Sequence, residues 1–229
     1  GEFYYKNNLD PKHSPKFPFN KTVKSTNYSL PTTNRSLVGI GGGKDSIVAA
    51  ELLKEHGFNF DSFVVQTQKE SPLVQEIISL IGKPQLKIER FLDWQVHLNP
   101  QYNGHIPISA IYAFLGVFSA VLYKYSYVIV GNEHSSDFGN THYKGLEINH
   151  QWSKSFEFEK LFQNYVQQFV TPNVTYFSLL RNLHEIRIAK KFASYKKYFP
   201  YFSSCNGNFK ISVDQNQRWC GKCAKCVFV

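Results

Sequence analysis

The sequence predicts an α/β protein: a parallel sheet wound on both faces by helices, followed by a helical, cysteine-rich extension. Three observations predict it. Short apolar runs alternate with segments of helical period from Ser36 to Gly131, the pattern of strand–helix–strand units. Three successive glycines, Gly41–Gly43, separate the first apolar run from the first helical one. All four cysteines, Cys205, Cys220, Cys223 and Cys226, lie after Ser204.

Taken in order, residues 1–35 are polar and proline-bearing without a sustained period, which predicts an irregular lead-in or linker. Ser36–Ile40 is a buried strand stopped by glycine, and Lys44–His56 a helix ending at Gly57. Ser62–Thr67 is a second strand. Ser71–Ile81 is a second helix, with Ser71 placed to cap it and Pro72 at its first position. Leu86–Arg90 forms a third strand, Pro107–Tyr123 a helix and Tyr127–Val130 a fourth strand. Lys154–Val170 and Tyr176–Tyr195 are expected to be helical, the second with Arg181, Arg187 and Lys191 on a basic face open to an anion. The expected division is therefore a lead-in (1–35), a nucleotide-binding domain (36–150) and a helical segment ending in a cysteine knuckle (151–229).

The formal charge of +9 favours an anionic partner such as a nucleotide, a nucleic acid or a phosphorylated metabolite. No apolar leader opens the chain, so a cytoplasmic location is expected. Ile108–Tyr123 is apolar but shorter than the roughly 20 residues of a bilayer span, and is expected to be a core helix.

The most informative segment is Gly39-Ile40-Gly41-Gly42-Gly43-Lys44-Asp45-Ser46. Successive glycines let main-chain N–H groups approach phosphate oxygens at the start of a helix. Lys44 can neutralise charge and Ser46 can donate a hydrogen bond. Asp45 beside phosphates implies an intervening divalent cation, Mg²⁺. The Walker pattern fails at Val38 and Asp45, and the dinucleotide pattern fails at Lys44. The segment resembles the S-G-G-x-D-S loop of the PP-loop ATP pyrophosphatase superfamily, with Gly41 in place of the first serine. That resemblance implies a doubly wound sheet of the adenine nucleotide alpha hydrolase-like type, and cleavage of ATP to AMP and pyrophosphate.

The cysteine spacing, C-x14-C-x2-C-x2-C with Gly221 after Cys220, suits a structural Zn²⁺ knuckle. Lys222 and Lys225 would offset the charge of a zinc tetrathiolate. Disulfides, an iron–sulfur cluster and a sulfur-carrying persulfide are the alternatives. A PP-loop followed by such a cluster is also similar to 7-cyano-7-deazaguanine synthases, where the arrangement binds zinc.

Two further polar segments complete the pattern, Gly131-Asn132-Glu133-His134-Ser135-Ser136 and Asn149-His150-Gln151-Trp152-Ser153-Lys154-Ser155. With the glycine loop and Trp219–Cys226, they resemble in order the ATP-dependent epimerase of UDP-N-acetylmuramoyl-L-alanyl-L-glutamate. The resemblance implies inversion of the terminal glutamate of a small nucleotide-peptide substrate for peptidoglycan, through an acyl-adenylate, with ATP, Mg²⁺ and release of AMP and pyrophosphate. It also implies a longer chain, with an amino-terminal portion missing here. Adenylation removes the carboxylate charge and acidifies the neighbouring Cα–H. A base of near-neutral pKa is then needed, and His150 and His134 are the candidates; Lys154 can hold the carboxylate or phosphates. The rival readings are a tRNA-thiolating or other base-modifying PP-loop enzyme, which the net charge favours, and a nucleotide-binding module without catalysis.

Overall fold

A computed structural model of the chain describes residues 1–13, 16, 18, 29, 33–66, 71–91, 106–209 and 218–229. Five parallel strands form the central sheet: β1 (Thr33–Gly39), β2 (Phe60–Gln66), β3 (Gln85–Glu89), β4 (Tyr125–Val130) and, counted after a small hairpin, β7 (Thr175–Ser178). Their order is β3-β2-β1-β4-β7. Succession runs outward from β1 to β3, then restarts on the other side with β4. The sheet therefore has a switch point between β1 and β4, where the loops at their carboxyl ends part to leave a crevice. This is the doubly wound parallel sheet expected from the alternating pattern.

Alternation along the strands feeds two cores. On one face Val38, Phe60, Val64 and Ile129 pack with α2 (Lys44–Glu55), α3 (Pro72–Ile81) and α6 (Glu185–Phe192). On the other, Leu37, Phe63, Val128 and Tyr176 pack with α4 (Ile108–Tyr123) and α5 (Phe156–Phe169). Leu37 and Val38 are neighbours in sequence yet belong to opposite cores, as a pleated strand requires. The order of α labels begins with α1 (Glu2–Lys6) and ends with α7 (Ala224–Phe228); the hairpin strands are β5 (Thr141–Tyr143) and β6 (Leu146–Ile148).

Several expectations change. The segment 1–35 is not irregular throughout: it holds α1 and the start of β1. The expected strand end Thr67 lies outside the described residues. Ser71 stands at the N-cap of α3, but its side chain makes no capping bond. Tyr176–Tyr195 is not one helix. Its first residues pair with β4, Val128 opposite Tyr176, and complete the sheet; α6 begins only at Glu185. The helical spacing of Leu179, Leu183 and Ile186 conceals a strand whose aromatic side chains gain more from burial at the sheet edge. The segment 151–229 thus supplies a strand to the main sheet besides its helices.

No described helix is long and apolar enough to cross a membrane. In α4, Ala113, Gly116, Val117 and Ala120 face the sheet. Gly116 lets the helix approach closely, since a Cβ there would meet Val128 Cγ1 at 2.8 Å.

Candidate nucleotide and metal site

The glycine loop sits where β1 delivers the chain to α2, beside the switch point. Gly42 adopts φ +85°, a left-handed conformation that side chains disfavour. Gly41 is exposed, and a Cβ built there meets nothing within 4 Å. Open space thus lies beside Gly41, whereas a Cβ at Gly42 would meet Val74 Cγ2 at 3.2 Å and one at Gly43 the Ser203 carbonyl oxygen at 3.5 Å. Ser46 Oγ turns back to the loop, donating to the Gly43 carbonyl at 3.0 Å and accepting from Gly41 N at 3.4 Å. Across the crevice, Gly131 at the end of β4 packs so tightly on α2 that its Cβ would lie 2.8 Å from the Asp45 carbonyl oxygen.

Lys44 is turned inward. Its ammonium is fully enclosed, donating to Asp45 Oδ1 at 2.7 Å and to Glu185 Oε1 at 3.0 Å. Burial disfavours the cation, but the two carboxylates more than compensate and raise its pKa above the ordinary lysine value. Glu185 also accepts from Lys225. Its burial alone would raise its pKa, yet the hydrogen bonds from Lys225 and Lys44 hold it below the usual carboxylate value.

The two polar segments meet. Ser136 Oγ bonds the Glu133 and Lys154 carbonyl oxygens, and Asn149 Nδ2 donates to the Ser136 carbonyl at 2.9 Å. Arg181 clamps them, donating to the Glu133 carbonyl at 3.2 Å, the Lys154 carbonyl at 2.7 Å and Glu159 Oε2 at 2.9 Å. Arg181 is therefore buried structure rather than part of a basic face, and Lys191 pairs with Glu55. Lys154 Nζ has no ion-pair partner within 4 Å among the described residues. Burial, aided by Lys225 and Lys44 and opposed by Asp45 and Glu133, lowers its pKa.

The two histidines stand apart in their surroundings. His134 lies edge-on to His184, ring centroids 4.7 Å apart, with Nδ1 3.9 Å from Asp137 Oδ2. His150 is held by Asn140 and, at 3.2 Å, by Gln151 Nε2. Sequence reasoning missed His184 and Glu185. They precede and open α6, and no local motif marks them; only the packing of α6 against α2 brings Glu185 to Lys44.

The four cysteine sulfurs converge within 4.8 Å of one another and form no disulfide. Cys220–Cys226 is 3.8 Å, Cys223–Cys226 3.4 Å and Cys223–Cys205 4.0 Å. Tetrahedral zinc with Zn–S of about 2.3 Å places its sulfurs about 3.8 Å apart, so the spacing fits a structural Zn²⁺. Gly221, at φ +66°, makes the turn of the knuckle. Backbone N–H groups of Cys226 and Asn206 lower the Cys223 pKa to about 6, favouring the thiolate that a metal needs.

A family model described as the MurL N-terminal domain matches residues 1–179, and one described as the MurL C-terminal domain matches residues 201–229. The chain belongs to the MurL family. Among curated MurL-type relatives, it is 39% identical to a UDP-N-acetyl-alpha-D-muramoyl-L-alanyl-L-glutamate epimerase of Xanthomonas oryzae pv. oryzae, over 100% of this chain and 51% of that one. Enzymes of the same name from Micromonospora sp. and Salinispora tropica are 36% and 34% identical, again over all of this chain and 51% and 50% of theirs. The chain thus spans about half the length of the curated relatives it matches. A solved structure titled as a predicted subunit of tRNA methyltransferase, from Methanocaldococcus jannaschii, aligns with TM-score 0.45 at 17% identity, over 69% of this chain and 75% of its own. Within the MurL family frame, the glycine loop and both polar segments fall in the region matched by the first model, and the cysteines in that matched by the second.

Proposed function

We propose that this chain is the ATP-using part of an epimerase that inverts the terminal L-glutamate of UDP-N-acetylmuramoyl-L-alanyl-L-glutamate in the cytoplasm. The observation that carries the reading is a glycine loop, open at Gly41, at the sheet's switch point in a chain of the MurL family. Residues 36–150 would hold the nucleotide, with β7 from 151–229 completing their sheet.

In this reading the amides of Gly41–Gly43 and the Ser46 hydroxyl hold phosphate oxygens. Asp45, whose Oδ1 accepts from Lys44, would hold Mg²⁺ through its other carboxylate oxygen, and the ion would supply charge neutralisation along the polyphosphate. Lys154 holds the substrate carboxylate. A carboxylate oxygen of glutamate attacks the α-phosphorus of ATP, the bond to pyrophosphate breaks, and the acyl-adenylate forms. The Cα–H is then acidic enough for an imidazole to remove the proton, and reprotonation on the opposite face inverts the centre. Water then attacks the acyl carbon of this mixed anhydride, breaking its bond to the phosphate oxygen and releasing AMP and the free carboxylate. His134 is the preferred base: it touches His184, whose neighbour Glu185 bonds Lys44 of the glycine loop. His150, on the hairpin side, is the second candidate.

The test is pyrophosphate release by the full-length protein with MgATP and each acceptor in turn, run in D₂O. Release dependent on the dipeptide nucleotide, with deuterium at Cα of the D-glutamyl product, is expected. Release dependent on tRNA would replace this reading with base modification; no release with either would leave a nucleotide-binding module.

A further inference from the structure

The outer surface of α4 and α5 is apolar where a solvated helix layer would be charged. The two helices precede β4 and β7, which pair in parallel, so they lie side by side on one face of the sheet. Among its 16 residues α4 has no Asp, Glu, Lys or Arg. It presents Phe114, Phe118 and Leu122 outward, 49%, 57% and 56% exposed. At the same four-residue spacing α5 presents Leu161, Tyr165 and Phe169, 54%, 44% and 58% exposed. Steps of four keep side chains on one side of a helix, so each set is a stripe along its helix. Phe114 joins the stripes, its ring centroid 5.7 Å from that of Tyr165. The helix layer on the other face of the sheet is built differently: Lys191 of α6 pairs there with Glu55 of α2, and Arg187 and Lys190 are exposed.

Ring contacts also carry the apolar face back to the polar site. Phe114 lies 4.8 Å from Phe162, Phe162 is stacked 5.6 Å from Phe158, and Phe158 meets Trp152 at 5.5 Å, two residues before Lys154. Size bears on what covers the face. Six half-exposed side chains of roughly 200 Å² each leave about 600 Å² of apolar surface, enough to mark an interaction site. Covering it would bury about 1,200 Å² counting both sides, within the range of about 600–1,500 Å² for contacts between domains of one chain. Obligate homodimers bury about 2,000 Å² or more. A contact of the smaller size holds when a covalent link keeps the partner at high effective concentration. The curated relatives carry about as much chain again as this one spans.

We propose that the aromatic face of α4 and α5 is the docking surface for that other half of the full-length protein, which covers both stripes and reaches the edge of the polar site at Trp152. The inference is independent of the nucleotide reading, because it concerns only which surface the second half buries.

The experiment places p-benzoylphenylalanine, a photo-crosslinking side chain, at Phe118, at Tyr165 or, as a control, at Phe199 in the full-length protein. Phe199 is 43% exposed and packs on Phe192 and Phe202 of the opposite core. All three side chains are partly exposed, so the added ring extends outward and leaves the core in place. Dilute protein is irradiated without ATP or substrate, digested, and its crosslinked peptides are identified by mass spectrometry. Crosslinks from Phe118 and Tyr165 to peptides outside residues 1–229, on a band of monomer mass, are expected. Their yield should exceed that from Phe199 by about tenfold, since only the docked face holds the linked half close. Crosslinks to a second copy would overturn the inference in favour of a homodimer. It is overturned equally by crosslinks confined to residues 1–229, by a yield within twofold of the control, or by no crosslink at all. Each of these outcomes leaves the nucleotide reading standing, and loss of MgATP binding in its own assay would leave the docking result standing.

Discussion

Replacing Gly41 by alanine adds one methyl group to the glycine loop at a point where nothing lies within 4 Å. Gly41 is not among the residues with positive φ, so alanine can adopt its conformation. The folded state should therefore tolerate the change. Lower chain entropy in the unfolded state stabilises such variants by up to about 1 kcal/mol, or a rise in Tm of no more than about 4 °C in a chain of this size. Nucleotide binding should respond quite differently. The methyl occupies the space through which a phosphate oxygen reaches the loop amides, pushing it back by about 1 Å and breaking at least one hydrogen bond to a charged group. That loss is about 1.5–3 kcal/mol, a factor of roughly 10 to 150 in Kd. Gly131→Ala provides the contrast, because its Cβ would lie 2.8 Å from the Asp45 carbonyl oxygen and 3.2 Å from Ser46 N. Backbone must shift there, at a cost of about 1–3 kcal/mol, so Tm and affinity should fall together. Thermal melts and MgATP calorimetry on both variants decide the matter. A Gly41→Ala protein with unchanged Tm and a Kd within twofold of wild type would refute the claim that phosphate is held at this loop.

Arg181→Met should be costly although it lies off the reacting groups: it strands the buried Glu159 carboxylate and frees two loop carbonyls. A loss of about 3–5 kcal/mol is expected from urea unfolding, and a loss below 1 kcal/mol would contradict the clamp. Elemental analysis should find zinc near one equivalent in the wild type, and Cys205→Ser and Cys226→Ser should each remove it; retention of zinc would refute a four-thiolate site. Acid should destabilise the protein through Glu51 and Glu185. Burial opposes their ionisation, but bonds from Tyr198 and Lys197 to Glu51, and from Lys225 and Lys44 to Glu185, lower both pKa values below the ordinary 4.5. Their contribution is complete above that value and is lost as pH falls through the lowered ones. Urea midpoints should hold steady near pH 6 and decline below about pH 4.5, and Glu51→Gln should flatten part of that decline; an unchanged slope would exclude Glu51 as a source.

Much of the architecture is written locally. The glycine run, the apolar strands and the helical periods each depend on neighbours in sequence, so β1, α2, β2, α3, β3, α4, β4 and α5 were legible to within a few residues. Cysteine spacing is local in the same sense, and so it announced that the four thiols belong to one cluster able to hold a metal. What the tertiary structure alone decided are the pairings between distant segments. Tyr176 became strand because the sheet edge offered its ring a buried place, which helical spacing cannot register. Arg181 became a clamp because two loops from other parts of the chain surround it. Lys44 lost its exposed role, and Glu185 and Lys225 gained theirs, because α6 and the knuckle fold onto the glycine loop. A charge acquires its partner only when the chain closes in space, since Coulomb energy depends on separation through the folded molecule and not on distance along the sequence.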